Sequence, residues 1–428
     1  MNNPITNWWR SQQFKFAVQR GDTGRAIELL KAIQKSGAKF SWLEKLFRDK
    51  LQLERSALDY KREVVNIRKQ ITEISQESKK LLSPNQNFIN YISQSFKFLQ
   101  HDEYNLQVTG IEQKIFDELE YKLFEYLQEE FSKVSQDKLM NNLATAWQDI
   151  NNLKIGKDPD YRFNLTPHVY FIKYFLENVY CVYLAWFLIY QNGLLPAKLN
   201  ILDIAAGPGT VAYSLSLFLM SMNDFVDITQ MHISYFSLEK QDAFQYRGLQ
   251  FWRKYIESRL TPVNAYFRFV TSDIFNWNAE STNIPKNFFD FIFISHCFFS
   301  DPVKRQEANN IYQQIFTESI SHKGYVILII QDKKLLKAYG VNKILNQEQQ
   351  RNIVNKFINE MGLELIDFRY FRSTNPHQVL SSREFAKFAD ENLPKQQHIH
   401  FFNQQYFNQK YPSHYTLDDY VILARKLS

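Results

Sequence analysis

Cysteine is scarce in this chain of 428 residues, which contains only Cys181 and Cys297. The two lie far apart in the sequence, and each stands within an apolar run. A disulfide framework or a cysteine-based zinc site needs more cysteines at closer spacing. The sequence therefore argues against both kinds of site and fits a reducing compartment.

Long hydrophobic runs are also lacking. The longest covers twelve residues at 179–190, whereas a helix that spans a bilayer needs about 20. We interpret this run as a buried helix. The first residues, MNNPITNWWRSQQ, lack the charged and then apolar pattern of a secretory signal. A cytoplasmic protein without a membrane segment is expected.

A strong charge of one sign is absent too. The formal net charge is +6, from 51 Lys and Arg and 45 Asp and Glu residues. This mild excess permits an acidic partner such as RNA but does not require one. Since no RNA-binding motif accompanies it, nucleic acid is a permitted but unsupported partner.

A chain of this length is expected to form two domains, with the turn cluster GKDPD at 156–160 as the boundary. Residues 1–160 show helical patterns throughout. From 43 to 81, apolar residues recur at alternating three- and four-residue steps, with lapses at Lys50 and Ser78. This heptad pattern predicts one helix of about 40 residues. It fits an intramolecular bundle, or a coiled coil that binds a protein partner or a second copy.

Residues 161–428 alternate between strand and helix patterns. Seven strand patterns with helices between them predict an α/β sheet, mostly parallel. The last two strands have no clear helix between them, which indicates an antiparallel pair at one edge. A long insertion at 373–418 separates these two strands.

The first strand leads into a loop of small residues, within NILDIAAGPGTVAY at 200–213. Glycines there let a ligand lie against the backbone, and the following helix offers free N–H groups to an anionic group. Such a loop stands at the carboxyl ends of the strands, where open α/β sheets bind ligands.

This loop resembles motif I of the class I S-adenosylmethionine-dependent methyltransferases, a Rossmann-like family. The resemblance covers about residues 195–428, and Ala205 stands where the first glycine of the motif usually lies. It implies a methyltransferase domain at 161–428 that uses S-adenosylmethionine. The helical half would then recognise the substrate or a partner.

The resemblance also implies roles for individual residues. Asp203 would contact the methionine part of the cofactor, and Gly207 and Gly209 would allow its close approach. Glu239, at the end of the second strand, would hold both ribose hydroxyls, because one carboxylate can accept two hydrogen bonds. Asp273 would accept the adenine amino hydrogen, while Ile274 and Phe275 would flank the ring.

Two alternatives stay open. The segment from Gly207 to Ala212 also fits the G-x-G-x-x-A fingerprint of nicotinamide or flavin enzymes, with Glu239 as the ribose acid. Asp203 at the strand end, Asp273 and the paired last strand count against it. The other alternative is a catalytically silent scaffold or assembly factor that acts through its helical half.

The methyl acceptor is not identified by the sequence and is a protein, an RNA or a small molecule. His296, after the fourth strand, is the candidate general base, or else a cap of the strand end. The segment SHCFFSDP at 295–302 lacks the Asn/Asp-Pro-Pro-Tyr/Phe pattern of many base and amide methyltransferases. Tyr170 and Tyr174 share a helix face and either cover the cofactor or pack.

The insertion at 373–418 contains three histidines, His398, His400 and His414. No cysteine or closely spaced carboxylate completes a metal site there, so no metal is expected. An insertion at this point of the chain is a candidate lid over the substrate pocket.

Overall fold

The computed structural model describes residues 4–19, 22–36, 80–155, 165–228, 231–257, 264–277, 284–299, 301–342, 346–376, 380–409 and 412–427, with isolated positions at 45, 159, 161, 259 and 344. The chain divides into two compact units, Met1–Lys79 and Lys80–Ser428. The boundary predicted near residue 160 therefore falls inside the second unit.

In the first unit, two helices are described, α1 (Pro4–Gln19) and α2 (Thr23–Lys35). Asp22 caps α2, since its side chain accepts the backbone N–H of Arg25 at 3.0 Å. The small core of the pair consists of Phe14, Ala17, Ala26, Leu29 and Leu30. Of the heptad segment at 43–81, nearly all residues lie outside the described part of the chain, and the long helix stays a prediction.

The second unit is built on one sheet of nine strands. They are β1 (Phe98–Gln100), β2 (Asn105–Val108), β3 (Lys198–Ile204), β4 (His232–Glu239), β5 (Asn264–Thr271), β6 (Phe289–Ser295), β7 (Ile320–Gln331), β8 (Leu363–Arg372) and β9 (Asp418–Lys426). Their spatial order is β1-β2-β8-β9-β7-β6-β3-β4-β5. β1 runs antiparallel to β2, and β9 runs antiparallel to β7 and β8, while every other neighbouring pair is parallel. The predicted α/β sheet is confirmed, but with nine strands rather than seven.

The two extra strands lie in the region predicted to be all helical, and that prediction is wrong there. β1 and β2 have three and four residues, too few to show an alternating apolar pattern. β2 even buries polar side chains. Asn105 donates to Asp102 at 2.7 Å, and Gln107 donates to the Ser373 carbonyl at 3.2 Å, so both are satisfied inside the fold.

The last strand is not at an edge, contrary to the prediction. β9 lies between β7 and β8 and is hydrogen-bonded to both. Residues 420–424 of β9, YVILA, are almost all buried. A strand with apolar residues on both faces is typical of the interior of a sheet that is covered on both sides.

Helices cover the two faces of the sheet. In chain order they are α3 (Gln86–Ser95), α4 (Gln113–Ser132), α5 (Gln136–Asn151), α6 (Thr166–Gln191), α7 (Thr210–Met222), α8 (Asp242–Tyr255), α9 (Pro302–Ser319), α10 (Asp332–Ala338), α11 (Gln347–Asn359), α12 (Ser382–Asn392) and α13 (Gln397–Phe407). α3 to α8 contribute to the core on one face, and α9 to α11 to the core on the other.

α6 is the most apolar of these helices and contains the run at 179–190. By length and composition it is the one helix among the described residues that could cross a membrane, yet 72% of its most apolar part is buried inside the protein. Trp186 and Tyr183 on it are fully buried. The prediction of a buried helix is confirmed.

α12 and α13 were not predicted. They occupy the insertion at 373–418, and α12 begins with a capping box in which Ser381 and Glu384 satisfy each other's backbone N–H groups. Glu120 of α4 caps α13 by accepting the N–H groups of His398 and Ile399 at 2.7 and 2.9 Å. The insertion is therefore fixed to α4, within the unit that contains the sheet.

Candidate functional site

The loop between β3 and α7 lies where the strand order reverses. β3 has β4 on one side and β6 on the other, so the connections from β3 and β6 leave in opposite directions. In open α/β sheets this switch point is where ligands bind, beyond the carboxyl ends of the strands.

Three residues of this loop have left-handed backbone conformations. They are Ala205, Gly207 and Gly209, with φ of 56°, 56° and 88°. A left-handed conformation costs an alanine about 1 kcal/mol more than a glycine. The backbone therefore favours glycine at all three positions. Ala205, which stands in place of a glycine, adopts the same left-handed conformation.

The loop leaves room for a ligand on one side and is tightly supported on the other. A Cβ atom built on Gly209 would meet nothing within 4 Å. On Gly248 of α8, in contrast, a Cβ would lie 2.1 Å from the carbonyl oxygen of Pro208. Gly248 therefore lets α8 pack directly against the loop and fix its backbone.

Glu239, the predicted ribose acid, lies at the end of β4 and is 7% exposed. One carboxylate oxygen accepts the N–H of Gly207 at 2.8 Å, and the other accepts the N–H of Gln241 at 2.9 Å. The side chain thus joins the β4 end to the glycine loop. A carboxylate oxygen can accept more than one hydrogen bond.

Asp203 is 1% exposed at the end of β3. Tyr235 of β4 donates its hydroxyl to Oδ2 of Asp203 at 2.5 Å. Burial raises the pKa of Asp203 to about 8, and the charge of Glu239 adds to the rise, whereas the hydrogen bond from Tyr235 opposes it. Near pH 7 this carboxyl group is therefore mostly neutral until a positive charge lies beside it.

Asp273 follows β5 and is joined to Glu239 through the backbone, since the N–H of Ser272 donates to the Glu239 carbonyl at 2.9 Å. Its side chain caps a short 3₁₀ turn, accepting the N–H of Phe275 at 3.1 Å. Its other oxygen lies 2.9 Å from Nζ of Lys240. Ile274 is 7% exposed. No pattern in the sequence pointed to Lys240.

His296 directly follows β6, and its backbone is left-handed with φ of 60°. Nε2 lies 3.0 Å from Oδ1 of Asp419, at the start of β9, and Nδ1 lies 2.9 Å from Oγ of Ser295. The side chains of His296 and Asp419 are 14% and 10% exposed. Sequence analysis selected His296 but missed Asp419, which is 123 residues away.

α6 lies over this end of the sheet and carries both predicted tyrosines. Tyr170 contacts Phe244 edge to face at 4.6 Å, and Phe244 in turn would lie 3.3 Å from a Cβ atom at Gly207. The Tyr170 hydroxyl accepts a hydrogen bond from Asn178 at 2.9 Å. Between Tyr170 and Leu176 the helix contains a π-helical turn, Phe171–Phe175, a feature frequent at functional sites.

Glu177 of α6 is a further carboxyl group of this region that sequence analysis missed. It accepts the hydroxyl of Thr416 at 2.5 Å. Burial raises the pKa of Glu177 to about 7, and the charge of Asp419 adds to the rise, while the Thr416 hydrogen bonds oppose it. Glu177 and Asp419 therefore lie close enough to influence each other.

The histidines of the insertion do not form a metal site within the part of the chain that the structure describes. No group of three or more His, Cys, Asp or Glu side chains there could hold a metal ion. His398 instead packs against α4. Its ring centroid lies 5.3 Å from that of Tyr121 and 5.6 Å from that of Phe124.

Comparison with known proteins finds similarity in structure only. A scan against protein-family models finds no match, and neither does a search of curated proteins. A methyltransferase from Methanosarcina mazei is 12% identical with a TM-score of 0.30, over 54% of this chain and 94% of its own. A second, described as a putative S-adenosylmethionine-dependent methyltransferase from Methanococcus maripaludis, is 15% identical with a TM-score of 0.30, over 64% and 95%.

A 16S rRNA adenine N1-methyltransferase from Catenulisporales acidiphilia is 9% identical with a TM-score of 0.30, over 54% of this chain and 88% of its own. Overlaps this loose carry no argument about function. A function is therefore inferred from this chain itself, from its strand order, its left-handed loop and its carboxyl groups.

Proposed function

We propose that the protein transfers a methyl group from S-adenosylmethionine to an acceptor by in-line displacement. The observation that supports this most is the loop at the switch point. Its three left-handed positions are held by small residues, it opens towards a ligand at Gly209, and it is joined to Glu239 by the Gly207 hydrogen bond.

The residues present fit this cofactor. Gly209 leaves space at the backbone, and the Glu239 carboxylate can accept the hydrogen bonds of a ribose diol. Ile274 offers an apolar surface to the adenine ring, next to Asp273 for its amino group. Asp203 is neutral in a buried site but ionises beside a cation, which suits a ligand with ammonium and sulfonium groups.

When bound, the cofactor supplies an activated methyl group that needs no further chemical activation. The protein then has to align an acceptor atom with that methyl group and exclude water. α6 lies over the carboxyl ends of the strands with Tyr170, Tyr174 and Glu177, and we assign to it the covering of the reaction site. The acceptor is a protein, an RNA or a small molecule.

The alternative dinucleotide function is less well supported. In the dinucleotide-binding fold a sixth strand extends a parallel sheet, whereas here β9 is inserted antiparallel between β7 and β8. A mostly parallel sheet with an antiparallel last strand is what the methyltransferase resemblance implies. Partner binding or self-association through residues 43–81 and a cytoplasmic location stay predictions.

Cofactor binding to the purified protein is expected to release a proton from Asp203. Below its pKa of about 8, Asp203 is protonated without ligand and ionised beside the bound cation. The affinity for S-adenosylmethionine should therefore rise up to about tenfold between about pH 6 and 7. Calorimetric titration in buffers of different ionisation enthalpy measures both quantities.

The matched control is Asp203→Asn, which keeps the size of the side chain and removes its titration. This variant should bind more weakly, release no proton and show a flat affinity over the same pH range. NADH serves as the competing ligand. Tight binding of NADH without binding of S-adenosylmethionine would sink the proposed function in favour of an oxidoreductase.

A further inference from the structure

His296 and Asp419 meet at the site although neither the loop motif nor the cofactor needs them. β6 pairs with β3 so that Ile294 lies beside Ile204. The next residues, Ser295 at the end of β6 with His296 after it and Ala205 after β3, therefore lie at the same edge of the sheet. β9 runs the opposite way, so Asp419 at its start arrives at that edge as well.

The geometry fixes the tautomer of the imidazole. Asp419 is a carboxylate that can only accept, so Nε2 of His296 carries the hydrogen and donates it at 3.0 Å. Nδ1 is then left with its lone pair. The Ser295 hydroxyl lies 2.9 Å from it, so this nitrogen already faces an O–H group.

The backbone at His296 is held in an unfavourable conformation to achieve this. A left-handed conformation is unfavourable for a residue other than glycine, and such residues concentrate at functional sites. Two hydrogen bonds to the backbone of His296 maintain this conformation. The N–H of His296 donates to Ile329 at 2.8 Å, and Lys334 donates to its carbonyl at 3.3 Å.

We propose that His296 accepts the proton of the methyl acceptor and that Asp419 is its positioning residue. This rests on the proposed methyl transfer. It makes the acceptor an O–H or N–H group, rather than a thioether or a tertiary amine, which would have no proton to lose.

Transfer to such an acceptor moves one methyl group and one proton. A lone pair of the acceptor atom forms the bond to the methyl carbon as the carbon–sulfur bond breaks, and that bonding pair goes to sulfur. The acceptor's O–H or N–H takes the place of the Ser295 hydroxyl at Nδ1 of His296, and its proton passes to this nitrogen. The resulting imidazolium donates Nε2–H to Asp419, whose charge stabilises it.

Other charged or titratable groups near the pair lie on α10, on α6 and directly after His296. Lys334 of α10 contacts the His296 backbone rather than its ring. Glu177 of α6 lies close enough to Asp419 to interact with it electrostatically. Cys297 is the next residue in the chain and interacts with Tyr170 of α6. The charge of Asp419 beside Nε2 favours the formation of a positive imidazolium, whereas the charge of Lys334 opposes it.

The test is nitrogen NMR of the full-length protein labelled at histidine, with the His296→Gln variant identifying the resonances. S-adenosylmethionine and S-adenosylhomocysteine differ by a methyl group and a positive charge on sulfur. If His296 faces the methyl group, its Nδ1 resonance should shift between the two complexes. His322, exposed near the amino end of β7, is the control and should not shift.

Asp419→Asn tests the positioning role. An asparagine can donate to Nε2, so the Nε2–H tautomer should lose its dominance while S-adenosylmethionine still binds. Identical Nδ1 resonances in the two wild-type complexes would overturn the proposal without any variant, and an unchanged tautomer in Asp419→Asn would overturn the role of Asp419. Absence of S-adenosylmethionine binding would instead contradict the proposed function on which it rests.

Discussion

Replacing Glu239 by glutamine is expected to weaken the binding of S-adenosylmethionine by about 100-fold. The carboxylate is the proposed partner of the ribose diol, and hydrogen bonds to a charged group contribute about 1.5–3 kcal/mol each. Loss of about 3 kcal/mol corresponds to roughly a hundredfold change in affinity. Calorimetric titration of the variant measures this directly.

The same substitution should also lower the stability of the protein. Glu239 accepts both the Gly207 and the Gln241 N–H groups, and an amide oxygen can replace only one carboxylate oxygen. The free energy of unfolding should fall by about 1–3 kcal/mol, the cost of a buried donor without an acceptor.

Glu364→Gln is the matched control for Glu239→Gln. Glu364 is exposed and pairs with Arg425 at 2.9 Å across β8 and β9, so its substitution should leave both cofactor affinity and stability unchanged. Equal cofactor affinity of wild type and Glu239→Gln would remove Glu239 from the proposed site.

The second large effect is expected at Glu130, where α4 is joined to α6 and α8. Its carboxylate lies 2.5 Å from Nη1 of Arg247 and 3.6 Å from Nε2 of His168, and Lys133 contacts its other oxygen at 2.5 Å. Glu130→Ala leaves Arg247 without its carboxylate partner in a largely buried place and removes a neighbouring acceptor from His168. Removal of one side of a buried ion pair costs about 3–5 kcal/mol, which chemical denaturation can measure.

Glu129→Ala is the control for Glu130→Ala, because it makes the same change one residue earlier on the same helix. Glu129 is 55% exposed in its pairs with Lys254 and Lys133, and the loss of stability should be small. A comparable loss in both variants would show that the pairs of Glu130 stabilise the fold no more than the exposed pairs of Glu129 do.

The pH dependence of stability gives an independent measure of Glu130. Burial alone would raise its pKa, but hydrogen bonds with His168 and Lys133 and the charge of Arg247 outweigh this and lower the pKa to about 2, from an ordinary 4.5. Its contribution is therefore complete above about pH 4.5 and is lost as the pH falls through about 2. Glu130→Ala should lack this part of the acid profile.

The sequence predicted the parts of the fold that depend on local pattern. The strand before Asp203, the small-residue loop and the helix after it are encoded within 14 consecutive residues at 200–213. The same segment contains the small residues Ala205, Gly207 and Gly209, whose backbones are left-handed. α4 and α5 were readable as well, because their buried residues recur with the helical period.

Other parts depend on tertiary contacts that no local pattern reveals. β1 and β2 are too short for periodicity and are held by their pairing in the sheet. Asp419 reaches His296 only because β9 is inserted antiparallel, which brings its first residues to the carboxyl edge of the parallel strands. Tyr235 reaches Asp203 across neighbouring strands in the same way.

Two features that were not predicted, α12 and the interior position of β9, do have a signal in the sequence. Ser381 and Glu384 have the spacing of a capping box and could have predicted α12. The apolar run YVILA at 420–424, without polar alternation, could have placed β9 inside the sheet rather than at its edge.

The central claim is that S-adenosylmethionine binds at the loop between β3 and α7 with its ribose on Glu239. A crystal structure of the protein grown with S-adenosylhomocysteine tests this most directly. The account predicts the ribose hydroxyls within hydrogen-bond distance of the Glu239 carboxylate, the backbone of Gly207 and Gly209 against the ligand, and adenine beside Ile274. A nucleoside bound elsewhere on the protein, with no ribose hydroxyl at Glu239, would contradict it.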